Sequence, residues 1–319
     1  MKRRIKVCPI DAAEQILQQT DALGAHWVAI GEPDFPALLR HADACPPLLC
    51  LKGTLTCLHN PPISIVGARN ASAAGLKFTR QIAAGLCSSG FCVVSGLARG
   101  VDTAAHHASC AYGTLAVIAG GIDNIYPPEN AQLYQRIVDE GGAIVTEMVP
   151  GTVPQAKHFP RRNRIISGIS YGVVVVEAAY RSGSLITARL ANEQNRLVFA
   201  VPGSPMDPRA AGTNQLIRNG AILVSRVEDI TEQLAPMLEM ELPFDDSISE
   251  PQSDNLLQPK DVPESARERI IALLGPAPVE IDDLIRESSE APSLVLTVLL
   301  ELELAGKLQR HGGHRVSII

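Results

Sequence analysis

Residues 158–170, HFPRRNRIISGIS, set three arginines and an asparagine in front of an apolar run with helical period. Guanidinium groups offer forked donors suited to phosphate oxygens, an asparagine can hydrogen-bond a base edge or a sugar, and a phenylalanine can stack on a base. Phe159, Arg161, Arg162, Asn163 and Arg164 therefore make a candidate anion and nucleic-acid site just before a helix, against the plainer reading of a solvated basic loop at a helix start. His106 and His107 with Asp102 are a second chemical candidate, for a metal or a general base. Neighbouring helical residues point about 100° apart, which suits chelation poorly, so no metal is expected there. The seven cysteines are an odd number without a CxxC pair and read as reduced, structural thiols, with Cys87, Cys92 and Cys110 in helices or strands.

Groups of this kind need a frame, and the chain supplies apolar runs that each end in glycine and small polar residues. Residues 63–66 run into GARNAS, 92–95 into GLARGVD, 115–118 into AGGIDNIYP, 143–146 into EMVPG, 172–176 into EAAYRSGS and 197–201 into PGSP, and a seventh run covers 221–224. Short β-branched runs separated by helical-period stretches read as buried parallel strands alternating with helices, an α/β doubly wound, mostly parallel sheet. Ligands of such sheets bind beyond the carboxyl ends of the strands, where the glycines and Arg69, Arg99 and Arg181 fall. Helices opening near Ala71, Thr103 and Ser184 would turn free N–H groups toward phosphate.

The formal charge of −6 hides an asymmetry. Residues 60–230 hold 15 cations against 11 anions, and 13 of those cations are arginine, whereas residues 231–263 hold 1 against 8. An acidic body argues against a nonspecific polyanion coat and leaves room for a focused basic pocket. No apolar run is long enough to span a bilayer, and no signal-peptide core follows the basic MKRRIKV, which reads as a cytoplasmic protein without a membrane segment.

The ordered blocks GARNAS, SGLARGVDTAAH, GGIDNIYPPEN, EMVPG, HFPRRNRIISG, VVEAAYRSGSLITA, VPGS and GTNQLIRNGA resemble the DNA-processing protein A family (DprA, also called Smf), and the likeness covers about half the chain. Residues 34–53 look like that family's lead-in to its sheet. The family's small N-terminal helical domain is expected to be truncated or absent, because only about 30 residues precede Asp34. The resemblance implies an extended Rossmann fold that binds single-stranded DNA, forms a homodimer and helps load the RecA recombinase during natural transformation, without catalysis or cofactor. Carried over by position, the matching residues are Arg69, then Phe159, Pro160, Arg161, Arg162, Asn163 and Arg164, then Ser182, Gly183, Ser184 and Thr187, then Gly212, Thr213 and Asn214, and the expected DNA contacts among them are joined by Ser95, Gly96, Arg99 and Lys157. Asp102 and Glu177 are expected to orient the arginines by ion pairing.

Four segments follow: a lead-in over 1–59, the extended Rossmann domain over 60–236, an acidic proline-containing linker over 237–263 and a small C-terminal winged-helix domain over 264–319. The last reads as three short helices and a hairpin. Its third helix has no Lys or Arg between Glu290 and Gly306, which favours protein contact or dimer tuning over duplex reading, while Arg310, His311, His314 and Arg315 put charge on the wing. Two enzyme readings compete. A nucleotide phosphoribohydrolase would need a PGGxGTxxE block where this chain has VEAAYRSGSLIT, and a dinucleotide oxidoreductase would need a second glycine where Arg69 stands.

Overall fold

The computed structural model describes residues 8–42, 44–239, 263–288, 290–311 and 315–318. Two units arise, Met1–Leu242 and Pro243–Ile319. The first opens with helix α1 (Ile10–Ala22), strand β1 (His26–Ala29), the one-turn helix α2 (Ala37–Arg40) and strand β2 (Leu48–Gly53). Strand and helix then alternate through β3 (Pro62–Val66), α3 (Ala73–Ser88), β4 (Cys92–Ser95), α4 (Val101–Ser109), β5 (Thr114–Val117), α5 (Ala131–Asp139), β6 (Ala143–Thr146), α6 (His158–Ile169), β7 (Gly172–Val175), α7 (Gly183–Glu193), β8 (Leu197–Ala200), α8 (Ala211–Arg218), β9 (Ile222–Leu223) and α9 (Glu228–Glu239). Each apolar run read from the sequence is a strand, displaced by a residue or so at its ends.

One nine-stranded sheet results, ordered β1-β2-β6-β5-β4-β3-β7-β8-β9. All neighbours from β6 across to β9 are parallel, whereas β2 runs antiparallel to both β6 and β1. Residues 26–53, expected to be only a lead-in, thus supply two strands of the sheet. Alternation along the strands divides the core. Val66, Val94, Val117 and Val175 face Leu39, Ile165, Ile169 and Ala188 of α2, α6 and α7, while Ile63, Ile65, Val93 and Val174 face Ile82, Leu86, Ala105 and Leu234 of α3, α4 and α9. Coverage on both faces is why the strands are continuously apolar.

The second unit holds α10 (Glu264–Ala272), β10 (Val279–Glu280), α11 (Ile281–Ser288), α12 (Pro292–Leu304), β11 (Leu308–His311) and β12 (Arg315–Ile318). Its three-stranded antiparallel sheet, ordered β10-β12-β11, packs with the helices around Ile270, Leu284, Val298, Leu299 and Val316. Of the wing, Gly312, Gly313 and His314 lie outside the described residues, as does most of the acidic linker, 240–262. Arg310 pairs with Glu303 at 2.8 Å, and the His311 ring lies 2.9 Å from the Ser317 hydroxyl.

The two histidines of α4 serve different surroundings. His106 is fully buried, its Nδ1 lies 3.0 Å from Thr114 Oγ1, and that hydroxyl donates to Val93 O at 2.6 Å, so the ring is the donor to Thr114. Its Nε2 has no partner. His107 turns instead toward Arg136. Among the described residues no group of three or more His, Cys, Asp or Glu could hold a metal ion, and no helix is long and apolar enough to cross a membrane. Burial pushes the Cys87 and Cys110 thiols up to about 11.

Burial, helped by His107 and Arg162, holds the His106 ring at about 3 against 6.5 when unfolded. Between those values the unfolded chain binds the extra proton, so this stabilisation is complete above pH 6.5 and is lost as pH falls toward 3. Unfolding free energies measured from pH 7 down to 4 should therefore decline more steeply in the wild type than in His106→Gln, by up to about 1.4 kcal/mol per pH unit for one proton. Parallel curves would refute the neutral buried imidazole.

Candidate nucleic-acid interface

Chain order reverses between β3 and β7, and a cavity of about 600 Å³ opens beyond their carboxyl ends. Its walls are the β3 loop Gly67–Asn70, the start of α4, helix α6 and the β7 loop leading into α7, with Arg209 reaching in from the segment after β8. Gly67 is required because a Cβ there would come within 2.6 Å of Val101. Gly100, at φ +76°, lets the turn into α4 lie against the carbonyls of Ala68 and Arg69.

Arg162 lies under the cavity, not in a solvated loop, since residues 158–169 are helix α6 itself. Only 5% exposed, it donates through Nη1 to Gly96 O at 2.6 Å and to Val117 O, tying together the ends of β4 and β5. Gly96, expected to touch DNA, is the residue that admits this guanidinium, because any Cβ would collide with it. Asp102 in the first turn of α4 accepts from Gly96 N at 3.1 Å and Ala98 N at 3.3 Å. Between those amides Leu97 adopts φ +54°, a left-handed conformation that costs a non-glycine residue about 1 kcal/mol or more, and Asn130 further fixes it by donating to Leu97 O at 2.8 Å. Burial raises the Asp102 carboxyl and brings Arg162 down to about 10, while each charge opposes the other's shift.

The other arginines of the cluster are also engaged. Glu147, just after β6, pairs with Arg161 at 2.9 Å and with Arg164, which also donates to Ala44 O. Arg164 is 14% exposed at its side chain and ties α6 to neighbouring segments, whereas Arg161, at 60%, stays within reach of solvent. The expectation of three open phosphate donors is thus corrected. Glu177 departs from its expected role too: it accepts from Ser72 N at 2.9 Å and Ser72 Oγ at 2.6 Å, closing the start of α3 rather than orienting an arginine.

What the cavity gathers from the expected set is Arg69, Phe159, Arg162, Asn163, Ser182, Gly183, Ser184 and Thr187. Ser182 caps α7, accepting from Ser184 N at 3.3 Å, so the first-turn amides and the positive end of that helix lie at the cavity wall. Arg69 stacks over the Phe159 ring, 5.3 Å from its centroid. Ser95, Gly96, Arg99, Lys157, Arg161, Arg164 and Asn214 lie outside the lining. Ser95 is buried and donates to Ile65 O at 2.6 Å, Arg99 pairs with Glu129 at 2.6 Å, and Asn214 clamps both backbone groups of Gly203. Arg209, Asn70 and Glu147 were missed. Arg209 carried a readable signal, an arginine in a strand-end loop like Arg69, Arg99 and Arg181.

The lining therefore holds four arginines against one carboxylate, Asp102, which is engaged with backbone amides. Roles separate by burial. Arg162→Ala would strand Asp102 as a buried charge and should lower stability in urea melts by about 3 kcal/mol or more. Arg69→Ala should change it by less than about 0.5 kcal/mol. Equal losses would contradict the division into an inner tie and an outer contact.

The family model described as DNA recombination-mediator protein A matches residues 26–235, and the DprA winged helix domain matches residues 254–314. Protein Smf of Escherichia coli (strain K12) is 39% identical over 285 residues, 88% of this chain and 74% of that protein. The X-ray structure of DNA processing protein A from Streptococcus pneumoniae is similar with a TM-score of 0.63 at 38% identity, over 70% of this chain and 80% of that one. DNA processing protein A from Helicobacter pylori, solved for its single-stranded DNA binding mode, gives a TM-score of 0.60 at 26% identity, over 66% and 96%. A family model that runs from β1 into α9 across the whole sheet, with a relative this similar along most of the sequence, makes the chain a member of the DNA recombination-mediator protein A family.

Proposed function

We propose that this chain binds single-stranded DNA in the crevice between β3 and β7 and, as a cytoplasmic homodimer, helps load the RecA recombinase onto it during DNA uptake and natural transformation. The observation that carries the reading is one cavity holding Arg69, Arg181 and Arg209 together with the opening turn of α7 and an aromatic ring. Cations and N–H groups suit backbone phosphates, and the ring with the short hydroxyls suits sugar and base. The single-stranded DNA binding mode reported for the Helicobacter pylori protein supports the same ligand. Of the expected contacts outside the lining, Arg99, Lys157 and Arg161 are the exposed ones and would serve the strand where it leaves the cavity.

An enzyme of the phosphoribohydrolase type is the rival reading. It is disfavoured because the chain carries VEAAYRSGSLIT where that class of enzyme has a PGGxGTxxE block. Titration of poly-dT across a salt series tests the proposal. Arg69→Ala and Arg181→Ala should each weaken binding and reduce the slope of log affinity against log salt by about 0.7. Unchanged affinity and slope in both would place DNA elsewhere, and binding of nucleoside monophosphates but not oligonucleotides would favour the enzyme.

For the winged-helix unit we propose a protein contact. Leu296, Leu300 and Leu304 recur every four residues on the exposed side of α12, which has no cation, while Arg267 and Arg310 are paired with Glu301 and Glu303. A peptide of residues 264–319 titrated with duplex near 0.1 M salt should show no micromolar binding. Tight binding would assign the wing to phosphate.

A further inference from the structure

Aromatic residues make up only 4% of this chain, so an exposed ring beside the crevice needs a reason. Tyr126 is 48% exposed and meets Phe159 edge to face, with ring centroids 5.7 Å apart and an interplanar angle of 65°. Arg69 already covers the Phe159 ring. A base arriving at this mouth therefore finds its open aromatic surface at Tyr126.

Tyr126 sits on a fixed support. Downstream, Asn130 donates to Leu97 O at 2.8 Å and to Thr103 Oγ1 at 2.9 Å, and upstream Ile122 O accepts from the Tyr134 hydroxyl at 2.7 Å. A ring held in place yet left in solvent can take a base at little ordering cost. Beneath it, a cleft of only about 10 Å³ between Gly96, Gly120, Phe159 and Arg162 has room for roughly one water, so a base must lie against the outer surface. The same loop carries Glu129, which holds Arg99 at 2.6 Å with side chains 58% and 60% exposed. Such a surface pair is worth little, and a phosphate can draw Arg99 from it.

We propose that Tyr126 is a second stacking platform for single-stranded DNA, over which the strand leaves the crevice past Phe159, with Arg99 meeting the adjoining phosphate. This rests on the single-stranded DNA reading above.

The full chain is titrated with oligo-dT at fixed salt as wild type, Tyr126→Ala and Tyr126→Phe. Tyr126→Ala should weaken binding roughly five- to a hundredfold, the range for loss of one stacked base, without changing the salt slope, and Tyr126→Phe should bind like wild type. In parallel, 5-iododeoxyuridine placed at successive positions of the oligonucleotide and irradiated on the wild type should give an adduct on Tyr126 at one or two of them. Wild-type binding with Tyr126→Ala unaffected, or with no adduct on Tyr126 at any position, overturns this inference alone. Equal weakening in Tyr126→Phe and Tyr126→Ala also overturns it, because stacking survives loss of the hydroxyl. Failure of the wild type to bind oligo-dT overturns the proposed function and this inference together.

Discussion

The guanidinium of Arg162, buried where α6 crosses the strand ends, is the constraint on which the crevice depends. Its two carbonyl contacts, at Gly96 and Val117, join adjacent strands where parallel pairing stops. A buried cation is expensive unless compensated, and the charge of Asp102, itself held by the Gly96 and Ala98 amides, compensates it. Charge and backbone thereby fix one another. The left-handed Leu97 between those amides is a conformation that only such an over-determined setting sustains. From it follows the path of the β4 loop, and hence the wall opposite α7.

That arrangement sorts the arginines into layers. Arg162 and Arg164 work inward on backbone and Glu147, while Arg69 and Arg181 remain around the open volume together with Arg209, which is held by Asp207 through Nε at 3.0 Å and Nη2 at 2.8 Å. A chain of net charge −6 can thus present a focused positive crevice, because the inner pairings hold their carboxylates away from solvent. Arg69 contributes twice, as a charge and as a plane lying on Phe159.

How much of this could be read from residues alone differs element by element. Of the seven parallel strands, the six from β3 to β8 were legible because burial on both faces makes them unbroken apolar runs leading into small polar loops, while β9, at the sheet edge, was legible only as a short apolar run. Strands β1 and β2 were not: His26–Ala29 lies at the sheet edge, where its mixed burial leaves no such run, while Leu48–Gly53, an apolar run ending in glycine, was read only as a lead-in. The glycine-loop arginine Arg69 and the opening of α7 near Ser184 were legible from local chemistry, since a strand end followed by small polar residues fixes their position. Arg162 was misread as an open donor because its burial depends on Gly96, 66 residues away in sequence, and no local pattern distinguishes it from Arg161. Glu147 was missed for the same reason, and Arg209, readable as a strand-end arginine, is delivered to the cavity by the crossing of the segment after β8 over the end of β7, where Ala178 N donates to Arg209 O at 2.7 Å.

The polar groups with the greatest chemical potential lie behind the crevice or, for Asp102, at its wall, and each is held by the frame. His106 donates to Thr114 and is kept neutral by burial, Asp102 receives two amides, and Glu177 caps α3. Facing the open volume are guanidinium groups, helix amides, short hydroxyls and a ring. Those groups complement an anion by charge and hydrogen bonding and a base by its ring face. A doubly wound sheet leaves its switch point open to many chemistries, and the fold alone does not choose among them. Here the choice is made by which side chains the frame consumes and which it leaves at the cavity wall.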